Sequence, residues 1–117
     1  MRKEETNLFD NNRYLTCRVD STIPLELQLF LWECVDQLPE PRDYLQVFEL
    51  SPSGSMQSVI HNSEEPAYKM EYLIPTENPI VEKVFIIDDG DHTTMLVVNF
   101  FMPPLFKDKY FFFILLR

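Results

Sequence analysis

The chain has 117 residues, of which 45% are hydrophobic, 14% aromatic and 25% charged, with 19 Asp+Glu against 10 Lys+Arg for a net charge of -9. That length suits one core rather than two, and no apolar run reaches the roughly 20 residues needed to cross a bilayer. The start, Met1-Arg2-Lys3-Glu4-Glu5, is polar rather than signal-like, so the expected setting is the cytoplasm, with no membrane contact.

Residues 1–12 carry no apolar period and are expected as a loose N-terminal arm, followed by a single compact domain over 13–117. Tyr14 to Val19 alternates, with Leu15, Cys17 and Val19 on one side, which is the period of a half-buried strand. Asp20-Ser21-Thr22 breaks it. Pro24 suits the first turn of a helix, where its missing N–H is not needed, and Glu26 complements the positive end of the helix dipole. The helix runs from about Ile23 to Leu38, where Pro39 and Pro41 stop it.

Beyond Asp43 the pattern is of strands and turns. Tyr44–Leu50 and Met56–His61 form an antiparallel hairpin across Ser51-Pro52-Ser53-Gly54-Ser55. Asn62 to Pro66 reads as a polar loop, Tyr68 to Ile74 as a strand, and Pro75 to Pro79 as a second loop. Glu82–Asp88 and Thr93–Phe101 flank Asp89-Gly90, which favours a hairpin because glycine tolerates positive φ. Tyr110 to Leu116 is a continuous apolar run suited to a strand buried on both faces. The expected class is α+β: a single antiparallel or mixed sheet of about five to seven strands packed against one main helix, about 23–38.

Signals for catalysis are thin. With only Gly54 and Gly90 a glycine-rich phosphate cradle is excluded, and no nucleophile elbow, Walker loop or H-E-x-x-H pattern is present. The reading is a non-enzymatic chain without a cofactor. Cys17 and Cys34 are expected as buried free thiols, with neither His61 nor His92 near them in sequence. Asp88, Asp91 and His92 offer metal-like residue types, but neighbouring strand residues point to opposite faces and would scatter such ligands. A small metal-dependent enzyme is the most remote reading, and no metal is expected.

Two features point to binding. On a helical wheel Leu27, Phe30, Leu31, Cys34, Val35 and Leu38 form the core face. Leu25, Leu29 and Trp32 fall nearly opposite and need their own cover, which the C-terminal segment, a second copy in a homodimer, or a foreign partner anchored by Trp32 would supply. The second feature is charge. Residues 20–98 hold 15 acids against Arg42, Lys69 and Lys83, a balance of -12. Displacing counterions from nucleic acid takes Lys and Arg, so direct nucleic-acid binding is not expected. A negative field is complementary to proteins whose working surface is basic, and Asp88, Asp89 and Asp91 therefore join Leu25, Leu29 and Trp32 as candidate partner-binding residues. Ordinary solubility charge is the competing account.

Three stretches, "RYLTCRV" with "IPLELQLFLWE", then "DYLQVFEL", then "VFIIDDGDHTTML", resemble in text and order a family of short cytosolic proteins of unknown function from Firmicutes and their phages and mobile elements. The resemblance covers about Arg13 to Leu96. It implies a compact α+β domain in a bacterial host cell with no known catalytic residues, and some such relatives act as anti-CRISPR proteins that inhibit a type II CRISPR nuclease. It carries no site residue over to this chain. The function it implies is an acidic inhibitor docked on the basic nucleic-acid channel of that nuclease; the alternative is a housekeeping protein that self-associates through its helix. The departure lies in 99–117, a divergent apolar segment running into "PPLFKDKYFFFILLR" where relatives end soon after the hairpin. Its seven successive apolar residues are an aggregation hazard unless covered, so it is expected as an extra strand first, and otherwise as cover for the helix or a partner surface.

Overall fold

A computed structural model of the protein describes residues 8–98. Its elements are β1 (Asn12–Leu15), α1 (Cys17–Thr22), α2 (Leu25–Asp36), β2 (Leu45–Ser53), β3 (Met56–Glu64), β4 (Ala67–Pro75), β5 (Glu82–Asp88) and β6 (His92–Val97). The strands make one mixed sheet in the order β1-β6-β5-β2-β3-β4. Neighbours are antiparallel except β1, which lies parallel to β6 with Arg13 opposite Thr93 and Leu15 opposite Met95. No helix among the described residues is long and apolar enough to cross a membrane.

The mixed sheet matches the expected class, but the single main helix does not: strands hold 48% and helices 20% of the structure, and the helical part is split in two. The split has a local cause. The Thr16 hydroxyl accepts the Val19 N–H at 3.3 Å, capping a new helix where the alternating pattern reads as strand. Cys17, Arg18 and Val19 therefore leave the sheet. The Ile23 N–H closes α1 onto the Val19 carbonyl at 2.9 Å, and Pro24, which has no N–H to continue the ladder, starts α2 instead. Cys17 is consequently exposed rather than buried, whereas Cys34 is buried as expected.

Both helices cover one face of the sheet. Val19 and Ile23 with Leu27, Leu31, Cys34, Val35 and Leu38 pack on Phe48, Leu50, Val59, Val84, Ile86 and Met95. Phe30 sits at the margin, half-buried, with its ring edge-on to Tyr72 at 5.1 Å. On the opposite face Phe85, Ile87 and Leu96 gather Tyr44, Leu45, Val47 and Val98, so β5 is buried on both sides.

Strand ends depart from the pattern in two places. Ser51-Pro52-Ser53 belongs to β2, with Ser53 opposite Met56, so that Gly54-Ser55 alone makes the turn and Gly54 takes φ 61°. Asn62 and Ser63, expected in a loop, extend β3, and Glu65-Pro66 turns directly into β4 with Glu64 opposite Ala67. The hairpin over Asp89-Gly90 is as expected, with Gly90 at φ 103°. The readings of segment 99–117 lie outside the described residues, as do residues 1–7 of the expected arm.

Residues 8–12 are not a loose arm. Phe9 is 1% exposed in the core despite a left-handed φ of 69°. Its N–H donates to Asp88 Oδ2 at 2.7 Å, Asn11 Nδ2 donates to Asp88 Oδ1 at 3.3 Å, and the Gly90 N–H reaches the same oxygen at 2.8 Å. The Thr93 hydroxyl donates to Asn11 Oδ1 at 2.6 Å, and Arg42 Nη1 holds the Leu8 carbonyl at 3.0 Å. One buried ring among polar residues leaves no periodic signal, which is why the sequence pattern misses this anchor.

Asp88→Ala removes the acceptor for all three donors and leaves the buried Phe9 N–H unpaired. A loss of about 2–4 kcal/mol in urea unfolding is expected. An unchanged midpoint would contradict the anchoring role.

Candidate functional site

The outer face of α2 is only partly free. Leu25 and Leu29 are 65% and 58% exposed. Trp32 is half-buried, packed at the margin of the core, and Arg13 of β1 lies over its ring with the guanidinium carbon 4.8 Å from the centroid. Arg13 is fixed there by an ion pair with Asp36 and by donating to the Phe9 carbonyl at 3.0 Å. The cover that Trp32 needs thus comes in part from β1, and the tryptophan is not an open anchor.

The acids gather differently. The sheet topology brings the start of β1, the β5–β6 turn, the start of β2 and the β3–β4 turn to one end of the sheet. Asp10, Asp91, Asp89, Asp43, Glu64 and Glu65 lie along that end. Asp43 holds part of it together: Oδ2 accepts the N–H groups of Glu64 and Glu65 at 3.2 and 2.8 Å, and Oδ1 that of Leu45 at 3.2 Å. Asp89 Oδ1 accepts the N–H groups of Asp91 and His92 at 3.0 and 3.1 Å, while Oδ2 lies 3.4 Å from His92 Nε2. Nearby guanidinium groups are committed elsewhere, Arg13 to the Phe9 carbonyl and Asp36, and Arg42 to the carbonyls of Leu8 and Leu38.

Of the three aspartates singled out in the sequence, Asp91 is exposed, Asp89 is half-buried and Asp88 is 5% exposed and turned inward. Asp88 is therefore structural rather than partner-facing. The opposite orientations of Asp88 and Asp91 also scatter the metal-like set: among the described residues no group of three or more His, Cys, Asp and Glu is placed to hold an ion. Asp43, Glu64 and Glu65 were missed. The register of β2 with β3 and with β5, Val47 opposite Asn62 and Leu45 opposite Ile87, is what brings them to the end that holds the β5–β6 hairpin.

Two buried groups, Cys34 and His61, and the half-buried Tyr72 complete the inventory. Burial pushes the Cys34 thiol up to about 11 and the Tyr72 hydroxyl up to about 12, so neither ionises near neutral pH. A protonated, buried thiol is a poor nucleophile. His61 is 0% exposed, stacked on Phe48 at 4.3 Å and edge-on to Tyr68 at 5.0 Å. Its Nε2 lies 2.7 Å from Gln46 Oε1, and the Gln46 amide nitrogen donates to the Asp43 carbonyl at 2.8 Å. Because that oxygen can only accept, the imidazole proton belongs on Nε2, and Nδ1 has no partner among the described residues. Burial lowers the His61 pKa to about 4.

The model of a staphylococcal protein family of unknown function, DUF960, matches residues 12–99. The chain belongs to this family. No curated protein matches it. A solved structure of a protein of unknown function from Enterococcus faecalis is similar, with a TM-score of 0.71 and 22% identity over 87% of this chain and 100% of that one. Identity at that level establishes a shared fold and no more. The DUF960 span begins at β1 and takes in α2 and, apart from Asp10, the whole acidic end.

The buried imidazole makes stability depend on pH with a definite sign. With a folded pKa near 4 against an ordinary 6.5, the unfolded chain takes up a proton that the folded chain refuses. Stability from this group is complete above pH 6.5 and declines as pH falls toward 4, by about 3 kcal/mol in all. Urea unfolding of the wild type and of His61→Phe across that range should give a difference that varies with pH; a constant difference would contradict the assignment.

Proposed function

We propose that this protein is a non-catalytic binding module whose acidic end docks on a basic surface of a nucleic-acid-handling protein. A type II CRISPR nuclease is the most concrete partner. The observation that carries the reading is the line of Asp10, Asp43, Glu64, Glu65, Asp89 and Asp91 along one end of the sheet, beside guanidinium groups already engaged with the protein itself. Exposed charges contribute little one at a time, but several of one sign on a rigid edge set up a potential that steers an oppositely charged surface. The strands hold their spacing, so little ordering remains to be done on binding. The absence of catalytic work is supported by the Cys34 thiol, kept protonated by burial, and by the His61 ring, shut inside the core.

The test is DNA cleavage by a purified type II CRISPR nuclease with increasing amounts of this protein, at low and high salt. Inhibition that weakens steeply with salt is expected. The triple variant Glu64→Gln, Glu65→Gln and Asp91→Asn should weaken it by about tenfold or more with an unchanged melting temperature. Cleavage and DNA binding left untouched at every concentration would overturn the nuclease as partner. Inhibition indifferent to both salt and the triple variant would overturn the acidic end as the docking surface.

A further inference from the structure

We infer that β4 is a self-pairing edge: two copies of the chain join antiparallel along Ala67 to Leu73, about a two-fold axis at Met70. Among the described residues β4 is the last strand in the sheet order and has β3 on one side only. Its nine residues pair with β3 in unbroken register, from Met56 opposite Pro75 to Glu64 opposite Ala67. It therefore presents a regular, unbulged row of backbone groups outward, and no proline interrupts it before Pro75. The other edge, β1, has four residues and leads directly into α1. Long regular edges invite pairing with another chain unless something blocks them, commonly a lysine.

β4 carries such a lysine, but Glu71 answers it. Lys69 Nζ and Glu71 Oε2 are 3.6 Å apart on the same face, with side chains 64% and 65% exposed. In a two-fold antiparallel pair centred on Met70, Lys69 faces Glu71 of the second copy, and Glu71 faces its Lys69. The four charges form a square alternating in sign along both strands and across them. Sliding by two residues either way sets Lys69 against Lys69 or Glu71 against Glu71, and like charges directly opposite each other destabilise a sheet. A slide of one residue would turn the second copy's side chains to the wrong face. One register alone is therefore complementary.

The apolar positions agree with that register. Met70, 44% exposed, meets its own copy between Tyr68 and Tyr72, which face each other across the junction. Leu73, 59% exposed, falls opposite the small Ala67. The antiparallel arrangement also carries the Glu64-Glu65 turn of each copy to opposite ends of the joined sheet, so the two acidic ends stay apart. This inference does not rest on the proposed function, and the two can fail separately, one read by subunit mass and the other by inhibition.

The test is sedimentation equilibrium of the full chain over a range of concentrations. A reversible dimer is expected. Lys69→Glu alone and Glu71→Lys alone each place like charges opposite each other at both facing pairs and should weaken the dimer by about tenfold or more. An equimolar mixture of these two variants should restore the wild-type affinity, because every facing pair is then opposite in sign. That rescue separates pairing from a folding defect, and circular dichroism checks that each variant is folded alone. A wild type that stays monomeric at every concentration would overturn the inference. So would a dimer indifferent to both reversals, or a mixture no tighter than its components.

Discussion

A buried carboxylate organises this fold. Burying an ionised side chain is costly unless its oxygens are satisfied, and Asp88 meets that condition with the Phe9 N–H, the Asn11 amide and the Gly90 N–H. These donors come from opposite ends of the described chain, so the contact closes a loop of about 80 residues, as does the parallel pairing of β1 with β6 beside it. Phe9 accepts a left-handed backbone conformation to reach it, and burial of its ring offsets that strain. Arg13, four residues on, is then set down over Trp32 and beside Asp36. The outer face of α2 is thus positioned by a contact at the same end of the sheet, since Arg13 and Asp88 both lie opposite Thr93.

The parts legible in the sequence are those in which one local rule acts without competition. Asp89-Gly90 specifies a hairpin because its backbone demands it, and the stripe from Leu27 to Leu38 specifies the core face of α2 because its spacing has one reading. Where two rules fit the same residues the pattern misleads. Leu15, Cys17 and Val19 alternate like a strand, yet the Thr16 cap and the burial of Val19 make residues 17–22 a helix. β2 and the first part of β3 read as a hairpin although Gln46, Gln57 and His61 hold buried positions, whereas Asn62 and Ser63 read as loop because a hydrophobic pattern does not register the polar end of a strand. The acidic end was half legible for a related reason. Asp88, Asp89 and Asp91 are adjacent in sequence, while Asp43, Glu64 and Glu65 join them only through strand register.

The acids at that end divide by role. Asp88, Asp43 and Asp89 spend their oxygens on backbone N–H groups and fix the N-terminal segment, the β3–β4 turn and the β5–β6 turn. Asp10, Glu64, Glu65 and Asp91 are exposed and carry the outward field. Behind them Gln46 ties Asp43 to His61, an imidazole kept neutral by burial, so no positive charge from the core offsets the acids at neutral pH. Carboxylates that hold turns make the surface rigid, and the rigid turns keep the remaining carboxylates at fixed spacing. Like charges held close repel one another, and that repulsion costs some stability in the free protein. A basic surface brought against the same end would relieve it, so the arrangement that is least comfortable alone is the one that gains most from an oppositely charged partner.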